Sequence, residues 1–201
     1  MLFRETVSDQ LLGILNACMQ SPSFDGFALA GGTSLALRIG HRVSVDIDLF
    51  GTGDVHAPEQ LNLLTALGPT VVLKMSPNIR ISSVRGIKVD VVNYSYPTIR
   101  PIETCENIRM YALEDIGAMK LNAIAGRGSR KDFIDLFYLL KMFTLAELMG
   151  FYLEKYADGN EFMVRKSLTY FEDAEREAMP RMLASENWEE IKHAILRAIA
   201  K

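Results

Sequence analysis

The chain has 201 residues, 49% of them hydrophobic and 23% charged, with 22 Lys and Arg against 25 Asp and Glu for a net charge of −3. Such a composition can bury a core without disulfide or metal staples, and it excludes disordered, collagen-like and coiled-coil classes. The balance gives no global attraction to nucleic acid or anionic membrane, so any such contact has to come from a local basic patch.

Ser8 caps a first helix reaching about Met19, with Leu11, Leu12 and Leu15 facing inward. The apolar run Phe27–Ala30 ends at Gly31-Gly32, where a helix carrying Leu35, Ala36, Leu37 and Ile39 begins. Ser44 to Phe50 alternates as a strand: Val45, Ile47 and Leu49 point one way, Ser44, Asp46 and Asp48 the other. After a helix over Ala57–Leu67, three strands are predicted at Thr70–Met75, Ile79–Val84 and Ile87–Tyr94, close enough for antiparallel hairpins with turns such as Arg85-Gly86.

Pro97 and Pro101 mark the passage to a helical half. Helices are predicted at Leu113–Ala125, Lys131–Phe143, Leu145–Tyr156, Glu161–Glu177 and Asn187–Ala200, with capping boxes at Thr144/Glu147 and Ser129/Asp132. The fold class is α+β, a small mixed sheet flanked by helices (residues 1–103) followed by a C-terminal helical lobe (104–201). No apolar run approaches the roughly 18 residues of a membrane span. Arg4, Glu5 and Asp9 do not read as a secretory signal, so a cytoplasmic protein is expected. Cys18 and Cys105, with the scattered His41, His56 and His193, argue against zinc.

The chemistry concentrates on the strand of Asp46 and Asp48. Aspartate is depleted in strands, and two on one face repel unless a cation lies between them. Oxygen-only ligands suit Mg²⁺ or Mn²⁺. The later strand Ile87–Val92 carries one carboxylate, Asp90. If the two strands are neighbours, Asp90 completes a cluster fit for in-line attack at phosphorus. The Gly31-Gly32 turn lets backbone N–H groups at a helix N-terminus approach phosphate closely.

Gly-Gly, a short helix, Asp-x-Asp and a later strand carboxylate resemble the signature of the DNA polymerase β-like nucleotidyltransferase superfamily. The strings Ala30–Leu37 and His41–Phe50 look like its AbiEii/AbiGii toxin branch. The likeness continues through a helix bearing Lys120 and the run Arg130-Lys-Asp132-Phe-Ile-Asp135-Leu, so that it spans roughly residues 27–140.

Lys120 lies in an otherwise apolar helix, so its ammonium either snorkels to water or meets a partner, and helical spacing puts it on a stripe with Arg127 and Lys131. Asp132 sits in a first helical turn, whereas Asp135, among Phe133, Ile134, Leu136 and Phe137, needs Lys120 or an arginine as partner. Clusters at Arg127, Arg130, Lys131 and at Arg38, His41, Arg42 are ordinarily solvated faces, but they also suit steering of an RNA end.

The resemblance implies a metal-dependent nucleotidyltransferase toxin that binds a nucleoside triphosphate. Asp46, Asp48 and Asp90 would be the Mg²⁺ (or Mn²⁺) ligands, with Asp90 orienting or activating the acceptor hydroxyl. Gly31, Gly32, Thr33, Ser34, Arg42, Ser44 and Lys120 would contact the nucleotide, Lys120 also neutralising the leaving group. Asp132 and Asp135 would belong to a motif needed for activity. The resemblance further suggests a tRNA 3′ end as acceptor, a cognate antitoxin as partner, and no membrane. A small-molecule nucleotidyltransferase of the antibiotic-modifying kind, or a catalytically silent nucleotide-binding module, stays open.

Overall fold

The described residues form seven strands, with apolar and polar positions alternating most clearly in the one that carries Asp46 and Asp48. They are β1 (Phe27–Leu29), β2 (Asp46–Gly51), β3 (Thr70–Ser76), β4 (Ile79–Val84), β5 (Ile87–Asn93), β6 (Glu103–Cys105) and β7 (Ile108–Met110). The computed structural model describes residues 1–200; Lys201, the last residue of the expected helical lobe, lies outside the described residues. The strands form one mixed sheet in the order β3-β4-β5-β2-β1-β7-β6. The β2–β5 and β1–β7 pairs are parallel, and the β3–β4–β5 run is antiparallel as its short connections predict.

The sheet belongs to the first of two compact units, comprising residues 1–40, 44–95 and 102–111. One face of the sheet meets α1 (Asp9–Gln20) and α3 (Pro58–Leu67), where Leu11, Leu15 and Leu64 pack with Ile47, Leu49, Val89 and Val91. Ser8 caps α1, its hydroxyl accepting from the Leu11 N–H at 3.1 Å. Arg109 of β7 donates to the carbonyls of Met19, Phe24 and Phe27 and so ties the end of α1 to β1.

Strand β2 starts two residues later than expected. The Ser44 N–H is taken by the Thr6 carbonyl, and Val45, expected on the inner face, is 62% exposed because it precedes the ladder. The β6–β7 hairpin was not legible in the pattern. Its turn residues Glu106 and Asn107 both adopt positive φ, at 48° and 67°, without the glycine that ordinarily signals such a turn. Edge strand β3 bulges between Val72 and Lys74 and leaves Val71, Leu73 and Met75 exposed.

The second unit comprises residues 41–43, 96–101 and 112–201. It contains α4 (Leu113–Gly126), α5 (Arg130–Leu139), α6 (Leu145–Lys155), α7 (Glu161–Ser167), α8 (Glu172–Glu175) and α9 (Trp188–Ile199). The expected helix over Glu161–Glu177 is two helices, because after Ser167 the N–H groups of Thr169 and Tyr170 turn back to carbonyls three residues earlier. The Thr169 hydroxyl donates to the same Lys166 carbonyl at 2.8 Å, a local bond that competes with the helical ladder. The Thr144/Glu147 capping box is present. Ser129/Asp132 is not one: Ser129 makes no side-chain cap, and its hydroxyl donates to the Asp132 carboxylate instead. Lys155, fully buried, donates to Asp115 and to the Pro97 carbonyl, both at 2.7 Å. Asp115 also accepts from the N–H groups of Ile99 and Arg100. No helix of the described residues is long and apolar enough to cross a membrane.

Candidate active site

In the first unit the geometry begins with the register of β2 against β5. Asp46 stands beside Lys88, Asp48 beside Asp90 and Phe50 beside Val92. Directly paired residues point to the same side of a sheet, and so do residues two apart on one strand. Asp46, Asp48 and Asp90 therefore share one face, with Asp48 and Asp90 on neighbouring strands about 4.8 Å apart. Between them the buried Ile47, Leu49, Val89 and Val91 anchor both strands in the core on the opposite face. Ile81 of β4 lies on the far side of Asp90 in the same row.

Helix α2 (Gly31–Ile39) brings its N-terminus to this row. The Ala30 N–H donates to the Asp48 carbonyl at 2.9 Å. Gly31 has φ +65°, and a Cβ built on it would fall 2.3 Å from Asp48 Oδ2. Only glycine allows both the backbone conformation and that approach. Ala30 offers no side-chain cap, so the first N–H groups of α2 carry the dipole's positive end unscreened by a capping side chain.

The hydroxyls expected at the phosphates divide into two kinds. Thr33 Oγ1 hydrogen-bonds Ser44 Oγ at 2.8 Å and donates to the Asp46 carbonyl, so this pair fixes the entry of β2 against α2. Ser34 Oγ, by contrast, is buried with no hydrogen-bond partner. Gly32 follows Gly31 in the first turn of α2.

Asp90 is half-buried. Its Oδ2 accepts from Lys88 Nζ at 2.5 Å, while its Oδ1 is buried with no hydrogen-bond partner. Burial acts to lower the Lys88 pKa, but the hydrogen bond to Asp90 and the charges of Asp90, Asp48 and Asp46 outweigh it and hold the ammonium above its ordinary value. Lys88 escaped the sequence reading. The signal was present in the alternation that singled out Asp90, since Lys88 lies two residues earlier on the same face.

Among the described residues no three His, Cys, Asp or Glu side chains are gathered to hold a metal as they stand. The donor set nevertheless fits a hard divalent cation: three carboxylates on one face, one with an orphaned buried oxygen. The open ligand positions that Mg²⁺ keeps for water and phosphate suit so few protein oxygens.

The second unit holds the other expected residues in a buried ionic network. Lys120 of α4 donates to Asp132 Oδ1 at 3.0 Å and pairs with Asp135 Oδ2 at 2.6 Å. Asp135 also receives Arg42 through Nε at 2.7 Å and Nη2 at 2.8 Å, and His41 Nε2 lies 2.8 Å from its Oδ1. Asp132 accepts from Arg127 Nε at 2.8 Å, from Arg127 Nη2 at 3.1 Å and from the Ser129 hydroxyl at 2.6 Å. Both carboxylates are fully buried, which by itself raises their pKa values, yet Lys120 with Arg127 at Asp132 and with Arg42 at Asp135 drives both well below the usual range. Lys120 is conversely raised: burial lowers it, and Asp135 and Asp132 more than reverse that. Three permanent cations, Arg42, Lys120 and Arg127, thus surround two carboxylates. Arg42, expected at the nucleotide, grips Asp135 bidentately and is 3% exposed. Lys131, expected on the stripe of Lys120, is exposed.

This sheet order, with carboxylates on neighbouring parallel strands and a glycine-led helix against them, is the nucleotidyltransferase fold. A crystal structure of an H. pylori protein assigned as a nucleotidyltransferase superposes with a TM-score of 0.60 at 16% identity, covering 95% of this chain and 90% of that one. MenT4, a nucleotidyltransferase toxin of Mycobacterium tuberculosis H37Rv, superposes with a TM-score of 0.58 at 12% identity, covering 95% and 81%. By sequence the chain is 34% identical over 182 residues to the uncharacterized protein aq_aa25 of Aquifex aeolicus, covering 86% of each. The family model for the nucleotidyl transferase AbiEii toxin, type IV toxin–antitoxin system, matches residues 13–201. The chain belongs to that family and is a nucleotidyltransferase.

Proposed function

We propose that this nucleotidyltransferase moves a nucleoside monophosphate from a nucleoside triphosphate to an acceptor hydroxyl at a tRNA 3′ end, as the toxin of a cytoplasmic toxin–antitoxin or abortive-infection pair. The observation that carries the reading is the register partnership of Asp48 with Asp90, with the Gly31 backbone laid against Asp48.

Asp46, Asp48 and Asp90 would hold the metal, Mg²⁺ or Mn²⁺. Bound there, it supplies positive charge beside the reacting phosphate. The N–H groups at the start of α2 and the unpartnered Ser34 hydroxyl meet phosphate oxygens of the triphosphate. Thr33 and Ser44 act one step back, keeping the start of β2 in place. Asp90 orients the acceptor hydroxyl and takes its proton as the oxygen bonds to the α-phosphorus; the bond from that phosphorus to its bridging oxygen breaks, and pyrophosphate leaves. In the helical unit Lys120, Asp132, Asp135 and Arg42 support activity through one network. Its buried ion pairs hold α4, α5 and the His41–Val43 segment together.

The test is incubation with α-labelled nucleoside triphosphates and either total tRNA or small hydroxyl compounds. Label on tRNA with the wild-type chain, absent with Asp48→Asn, is expected. Label on small compounds alone would replace the tRNA reading with the antibiotic-modifying one, and label on neither would leave a nucleotide-binding module. Expression in bacteria is expected to arrest growth, and Asp46→Ala to relieve the arrest.

A further inference from the structure

Lys88 is the one cation among the β2 and β5 side chains on the carboxylate face. It stands across from Asp46 in the register, and its ammonium sits on Asp90 at 2.5 Å, within the influence of Asp48 and Asp46 as well. Its side chain is 42% exposed, so it can swing away without disturbing the core. The second oxygen of Asp90 stays buried and unpartnered, so the ammonium alone does not satisfy that carboxylate.

We propose that Lys88 is a displaceable counter-ion of the active site. Its ammonium holds the cation seat on Asp90 in the metal-free chain and yields that seat to a divalent ion. Tethered by β5, it then remains alongside as a ligand for an anionic oxygen of the nucleoside triphosphate. This rests on the reading of Asp46, Asp48 and Asp90 as metal ligands, and it assigns to Lys88 two effects of opposite sign. Before metal binding it competes with the ion, since ammonium and metal want the same oxygens. After metal binding it attracts the substrate, since a neighbouring cation favours a bound polyanion. A residue that merely braced β5 would weaken both binding events when removed.

The experiment measures Mn²⁺ binding by the loss of the free-ion electron paramagnetic resonance signal. It then measures affinity for a non-hydrolysable nucleoside triphosphate at saturating Mn²⁺, using the full chain and Lys88→Met, Lys88→Gln and Asp48→Asn variants. Both Lys88 variants are expected to bind Mn²⁺ about tenfold more tightly and the triphosphate several-fold more weakly. The glutamine variant keeps the strand polar should methionine disturb it. Unchanged or weaker Mn²⁺ binding in both, or unchanged triphosphate binding in both, overturns the proposal. Failure of wild-type and Lys88 variants alike to bind Mn²⁺ instead overturns the metal reading beneath it, as does wild-type Mn²⁺ binding by Asp48→Asn.

Discussion

Gly31 lies with its α-carbon hydrogen turned onto the carboxylate of Asp48, and a methyl group there would fall 2.3 Å from Oδ2. Gly31→Ala therefore has to move either the first turn of α2 or the Asp48 side chain, and it strains a backbone at φ +65° besides. We expect a loss of about 1–3 kcal/mol in urea unfolding and a drop in label transfer larger than that loss explains. Gly13, within α1, is the control: a Cβ there meets nothing within 4 Å, and Gly13→Ala is expected to stabilise by about 0.5–1 kcal/mol with transfer unchanged.

Asp135 gathers His41, Arg42 and Lys120 around one buried carboxylate. Asp135→Asn leaves those cations short of a counter-charge, and a loss of about 3–5 kcal/mol is expected by chemical denaturation at neutral pH. Because the folded pKa of Asp135 lies below the unfolded one, its stabilisation is fully present above the ordinary carboxylate range near pH ~4 and is lost as pH falls toward the folded value. Wild-type stability should accordingly fall more steeply under acid than that of Asp135→Asn. Parallel acid slopes for the two proteins would contradict this assignment.

Lys155 offers a purely architectural comparison. Lys155→Ala strands the buried Asp115 carboxylate and frees the Pro97 carbonyl, so a loss of about 3–5 kcal/mol is expected. Lys155→Met fills the same volume but leaves Asp115 unpaired too, and the double change Asp115→Asn with Lys155→Met should recover much of the loss. Thermal unfolding of the three variants checks the order.

The two cysteines should react at very different rates. Cys18 is fully buried, and burial pushes its thiol up to about 12 against the modest opposing pull of Arg80 and Arg109. Native protein at pH 8 is expected to form one mixed disulfide with an aromatic disulfide reagent, at the half-buried Cys105, releasing one equivalent of the reagent's thiolate, and a second equivalent only on unfolding.

The carboxylate strand and its glycine turn were legible because aspartate in an otherwise apolar strand is a costly choice that stands out locally. The pairing of β2 with β5 is written in neither segment, since strand order is decided by what packs where rather than by any one stretch of chain. His41, Arg42 and Val43 illustrate the limit. They sit between two segments of the sheet unit yet belong with the helical one, where Arg42 closes on Asp135 and the Val43 N–H donates to the Arg181 carbonyl. Nothing within a few residues of them announces partners so far along the chain. Lys88 was missed for a simpler reason: a lysine on a half-exposed strand is ordinary until its neighbours are known.

The pairing of Asp48 with Asp90 runs between strands separated by α3, β3 and β4, all of which lie outside the carboxylate row's own two strands. Insertions and deletions in that intervening excursion can be absorbed at its surface turns without altering the row. A single residue gained or lost inside β5 ahead of Asp90 would turn its carboxylate to the opposite side. Length variation among relatives should therefore collect between β2 and β5 and be purged from the strands themselves.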